Sequence, residues 1–124
     1  MEKAVIDEIS SRRFESPDET RSFEKGHIDL VHFGSITLGR ITLEPGWRWA
    51  LHVKPIAGTS SCEAGHLQYI LSGRMHIVMD DGTEAEFGRD EVISIPPGHD
   101  GWVVGNEPFI AIDVTGLADY AKKS

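Results

Sequence analysis

The residues best suited to chemistry lie between Gly46 and Gly73, in the stretch GWRWALHVKPIAGTSSCEAGHLQYILSG. It holds His52, Lys54, Cys62 and His66, and a later segment, GRDEVISIPPGHDG, adds His99 beyond a Pro-Pro-Gly turn. Imidazole and thiolate groups are ligands for zinc and other transition metals. The spacing Cys62-x-x-x-His66 permits one ion to be shared. Lys54 offers different chemistry: an ammonium driven neutral by burial serves as a general base or forms an imine with a carbonyl substrate. The alternative is an outward course, with the stem on apolar surface and the head in water. These side chains act together only if the fold brings their segments into one pocket.

From Thr20 onward the chain reads as short extended runs: 22–24, 28–33, 35–43, 47–53, 66–71, 75–79, 84–87, 91–95, 102–104 and 109–114. Turn signals separate them, among them Glu44-Pro45-Gly46, Ser72-Gly73, Asp81-Gly82 and Pro96-Pro97-Gly98. Many short strands, with no helix-length apolar stripe between them, predict an all-β sandwich or jelly-roll barrel. Alternate residues of a strand share a face, so His52 falls with Lys54, and His66 with Gln68. The same parity sets Trp47 and Trp49 opposite His52, in a packing or dimer role, and reads Tyr69 and Leu71 as barrel packing. Asp100 is placed to orient His99, or is simply a turn residue. His27, His32 and His76 read as surface or packing residues.

One domain is expected from 124 residues, a length that buries roughly two-thirds of the unfolded surface. Its expected parts are an N-terminal arm (1–21) with a short helix over 3–13, a barrel (22–114) and a C-terminal tail (115–124) with a helical turn over 117–124. Twelve basic against twenty acidic residues give a net charge of −8. With no basic stripe to offset that charge, nucleic acid is excluded as an expected partner. No apolar run approaches the roughly 18 residues of a membrane span. A lone cysteine gives no disulfide framework, and the opening residues lack a secretory signal pattern. The expectation is a soluble, cytoplasmic protein.

The order of these signals resembles the cupin superfamily. The first cupin motif runs Gly, five residues, His-x-His, a short gap, Glu, six residues, Gly. Gly46, His52 and Gly73 match it, while Lys54 holds the second histidine position and His66 the glutamate position. The second motif runs Gly, a strand, Pro-x-Gly, two residues, His, then Asn. Gly88, Pro96-Pro97-Gly98 and Asn106 follow it, with Gly101 at the histidine position and His99 two residues earlier. The resemblance covers residues 27–114. It implies a double-stranded β-helix (the cupin jelly-roll barrel), a homodimer, and a pocket for a small organic molecule. It also implies a divalent metal (Zn, Fe, Ni, Cu or Mn) on His52, His66 and His99, completed by Cys62 or water. Such a fold serves enzymes and binding proteins alike. A second reading is a metal-free binding or sensory module in which the histidines and Lys54 hold an anionic metabolite. A third is a closed structural zinc site including Cys62.

Overall fold

Alternating apolar and polar side chains build antiparallel strands throughout the computed structural model, which describes residues 8–63 and 65–114. In order these are β1 (Glu19–Phe23), β2 (Gly26–Phe33), β3 (Ile36–Leu43), β4 (His66–Ser72), β5 (Arg74–Met79), β6 (Glu84–Gly88), β7 (Val92–Ile95), β8 (His99–Val104) and β9 (Phe109–Asp113). Two short helices, α1 (Trp49–His52) and α2 (Lys54–Ala57), lie between β3 and β4. One sheet has the order β1-β2-β3-β9-β4-β7 and the other β6-β5-β8, with every pairing antiparallel. The sheets enclose one core. Ile28, Leu30, Ile41, Leu43, Ile70, Phe109 and Ala111 enter it from the large sheet, and Met75, Ile77 and Val103 from the small one. No helix among the described residues is long and apolar enough to cross a membrane.

The pleat decides what faces the interior. Along β4, His66, Gln68 and Ile70 are buried while Leu67, Tyr69 and Leu71 stand outside, each more than 40% exposed. Tyr69 and Leu71 are therefore outer-face residues, which corrects their reading as barrel packing. Gly101 on β8 faces inward, and a Cβ there would meet Ile77 Cδ1 at 2.7 Å and the His76 carbonyl oxygen at 3.1 Å. A side chain at the position where the cupin motif carries histidine would thus press on Ile77 and the β5 backbone.

The run 47–53 departs most from expectation. Its start is extended, with Val103 N–H donating to the Trp47 carbonyl and Arg48 bridged to Trp102. The chain then turns helical at Trp49, correcting the strand reading of this stretch. Local chemistry favours the turn. Asp100 Oδ1 accepts from Ala50 N–H at 3.1 Å, satisfying a donor that the first helical turn leaves orphaned. Pro55 sits in the first turn of α2, where its missing N–H costs nothing, and Gly58 ends that helix at φ 76°. Helix winding also undoes the strand parity: Trp47 and Trp49 are core residues, 3% and 2% exposed, not an outer packing face. Outside, the Arg48 guanidinium lies over the Trp102 ring, whose plane stacks with His76.

The segment 8–13 is not helical, and the rest of the helix expected over 3–13 lies outside the described residues, as does the expected turn over 117–124.

Candidate metal centre

Three side chains on three different elements converge at one end of the barrel. Cys62, on the loop after α2, His66, first in β4, and His99, first in β8, are all buried. One ligand atom from each lies within 4.8 Å of the others. Backbone pairing explains the approach. Cys62 N–H donates to the His99 carbonyl at 2.7 Å, and the pair forms an isolated antiparallel bridge. Residues directly opposite in such a bridge project their side chains to the same face. His66 arrives from the large sheet through its pairing with Ile95, a few residues upstream of His99. Its ring meets that of His99 edge-on, with centroids 5.4 Å apart.

Each imidazole is held by its Nδ1. His99 Nδ1–H donates to the Pro96 carbonyl at 2.8 Å, leaving Nε2 as the lone-pair nitrogen. His66 Nδ1 lies 2.8 Å from Asp113 Oδ2, which also accepts from Gln68 Nε2 at 3.0 Å. A carboxylate only accepts, so His66 carries its proton on Nδ1 and turns the Nε2 lone pair toward Cys62 Sγ, 3.9 Å away. Asp113 is 1% exposed and pairs in register with Gln68, so β9 delivers it beside His66. Burial pushes the His99 pKa below its ordinary value; the Pro96 hydrogen bond opposes this and the neighbouring His66 reinforces it. A neutral imidazole is the form that ligates metal.

The other expected site residues lie elsewhere. His52 stands in α1, where its Nδ1 accepts from Arg48 N–H at 3.0 Å and its Nε2 lies 3.5 Å from a Glu24 carboxylate oxygen. It is not part of the Cys62–His66–His99 group. The sequence argument placed it by strand parity, and the chain there is helical. Lys54 is exposed at the start of α2 and lines an open surface groove of ≈510 Å³ with Ala50, Pro55, Gly58, Thr59 and Ser60. Nothing buries it. Asp100 does not orient His99 by a hydrogen bond; its oxygens go to Arg48, Ala50 and Gly101. Asp113 was missed, because only the β4–β9 pairing brings it to a histidine 47 residues away.

Inside the barrel, a cavity of ≈30 Å³ is lined by His66, Gln68 and His99 among apolar residues that include Trp47, Met75 and Phe109. By that measure a water needs about 10–15 Å³, so the cavity takes about two or three waters. A drug-sized organic molecule, whose pocket runs to several hundred Å³, does not fit.

The donors present suit a transition-metal ion. Zinc prefers a tetrahedron with bonds of about 2.3 Å to sulfur and about 2.0–2.1 Å to nitrogen, which sets ligand atoms about 3.4–3.6 Å apart. The observed 3.9 Å between Cys62 Sγ and His66 Nε2 is close to that spacing.

No protein-family model and no curated protein matches the chain. Solved structures do. The polyketide cyclase RemF from Streptomyces resistomycificus superposes with TM-score 0.61 at 20% identity, over 87% of this chain and 79% of that one. Oxalate decarboxylase from Lactobacillus farciminis gives 0.58 at 18%, over 82% of this chain but only 32% of that one. A protein of unknown function from Rhizobium leguminosarum gives 0.55 at 20%, over 86% and 97%. The likeness is one of fold: the chain has the jelly-roll fold of cupin proteins.

Proposed function

We propose that Cys62, His66 and His99 hold a divalent metal ion, with zinc as the best match. The observation that carries this is the convergence of three buried donors from three elements within 4.8 Å. Two imidazoles and one thiolate form a borderline-soft set; manganese, which favours oxygen ligands, fits it poorly. Three protein ligands with a fourth position left to a small molecule is the arrangement of catalytic zinc sites, whereas structural sites close all four. When bound, such an ion acts as a Lewis acid toward whatever occupies that position. Asp113 fixes the tautomer and ring orientation of His66, and the Pro96 carbonyl does the same for His99. His52 has no part in this site.

The similar structures carry names as different as a cyclase and a decarboxylase, so the fold does not select a reaction. The cavity volume constrains it more. A small organic molecule has its place outside the barrel, in the groove beside Lys54, where an ammonium and the Ser60 hydroxyl suit a carboxylate or phosphate. That is the second reading, an anion-binding role separate from the histidines. A homodimer is supported by the exposed apolar side chains of Leu67, Tyr69, Leu71 and Val92 on the outer face of β4 and β7.

Elemental analysis of the purified, untagged protein beside a His66→Ala variant tests the principal reading. Near-stoichiometric metal in the wild type, lost in the variant, is expected. A wild type that is metal-free and resists reconstitution would sink it. Titration with small carboxylates and phosphates, beside Lys54→Ala, tests the second.

A further inference from the structure

Cys62 differs from the two imidazoles in what holds it. His66 and His99 begin strands, whereas Cys62 lies on the loop between α2 and β4. Loops are the less stable parts of a fold, and a ligand carried on one binds best when held near its bound position beforehand. What this loop is tied to therefore bears on the site. Cys62 N–H donates to the His99 carbonyl at 2.7 Å, and the N–H groups of Gly98 and His99 donate to the Cys62 carbonyl at 2.7 and 3.3 Å. The Ser61 carbonyl accepts from Thr59 Oγ1 at 2.7 Å.

One residue from β5 reaches both sides of this bridge. Asp80 directly follows Met79, which pairs in register with His99. Its N–H donates to the Gly98 carbonyl at 2.8 Å, and its Oδ2 accepts from Ser61 Oγ at 3.0 Å. Gly98 precedes His99 and Ser61 precedes Cys62, so Asp80 is bonded to the immediate neighbour of each of two metal donors. The approach is close, since a Cβ at Gly98 would meet Asp80 Oδ2 at 3.0 Å. Ser61 is 5% exposed, so water is a poor substitute for the carboxylate it donates to. The β5–β6 turn does not need this side chain: Asp81 accepts from Thr83 N–H at 2.9 Å and serves the turn itself. We propose that Asp80 is a positioning residue for the metal site, its carboxylate holding the Ser61–Cys62 loop so that the thiolate stands beside His66 and His99 before the ion arrives. This rests on the metal reading above.

Titration of the full chain with cobalt(II), followed by the near-ultraviolet sulfur-to-cobalt charge-transfer band, tests this. Cys62 is the only cysteine, so the band reports that ligand. Asp80 is exposed, which keeps its bond to Ser61 at ordinary strength, and Asp80→Ala should weaken cobalt binding about three- to tenfold. Asp80→Asn keeps an acceptor oxygen without the charge and should restore the wild-type affinity. Ser61→Ala removes the same bond from the other side; it should match Asp80→Ala, and the double variant should be no weaker than either. Where Asp80→Ala does not fold, Ser61→Ala against the wild type carries the comparison. An unchanged affinity in the alanine variants, an Asn variant as weak as Ala, or additive losses in the double variant overturns the role of Asp80 alone. A wild type that binds cobalt without the sulfur band, or not at all, overturns the metal reading itself.

Discussion

His66 shows how much of this site depends on a neighbour far away in sequence. Its Nε2 faces Cys62 because Nδ1 is committed to Asp113. Replacing Asp113 with Asn should weaken metal affinity by about 10–100-fold, the usual consequence of losing such a partner. His52→Ala should leave affinity unchanged; competition against a chromophoric chelator measures both. Protonation separates two other histidines. Burial lowers the pKa of His99, whereas the Glu84 carboxylate, helped by Glu86, raises that of His76. In an NMR titration of the metal-free protein, His99 should titrate below the ordinary 6.5 and His76 above it. The two have opposite effects on stability. The His99 contribution is present above 6.5 and lost as pH falls, because the unfolded chain then binds the extra proton. The His76 contribution is present below 6.5 and lost as pH rises through its raised pKa. The sequence singled out Cys62 and His99 by residue type and His66 by its place in the motif. It did not single out Asp113, since an aspartate at a strand end carries no local signal of burial.

At the level of elements, the connector from Trp47 to Ala57 decides which residues reach the barrel. Winding into α1 sends His52 to the Arg48 backbone and Lys54 to the surface, while Trp47 and Trp49 go inward. Strand parity misjudged His52, Trp47 and Trp49 for one reason: Asp100, on a distant strand, accepts from Ala50 N–H and pairs with Arg48, and so holds the helical start. Asp100→Ala should therefore cost about 0.5–2 kcal/mol, the usual range for losing a helix cap. Chemical denaturation checks this, and an unchanged midpoint would contradict the role. The strands themselves were easier to read, because turn residues mark their ends and burial follows the pleat. Gly101 belongs to this scale as well. Gly101→Ala forces a methyl group against Ile77 and should destabilise by about 1–3 kcal/mol, an overpacking cost.

For the molecule as a whole, the two sheets close over a nearly filled interior. On the proposed reading, metal chemistry is confined to small ligands, and organic molecules are left to the surface. The outer face of β4 and β7, with Leu67, Tyr69, Leu71 and Val92 exposed, is the surface proposed for a second copy. Leu67→Glu with Val92→Glu should yield a monomer by light scattering if the wild type is a dimer held there, and a dimer that survives would place the interface elsewhere. The jelly roll was legible because its evidence is distributed over many short runs and turns. The capacity of its interior was not, since that depends on how Trp47, Trp49 and Phe109 pack together. The central claim is that Cys62 and two imidazoles share one ion. Zinc-edge X-ray absorption of the zinc-loaded protein tests it most directly. One sulfur scatterer at about 2.3 Å, with two imidazole nitrogens at about 2.0–2.1 Å, is the expected result. A shell of nitrogen and oxygen alone, with no sulfur, would contradict it.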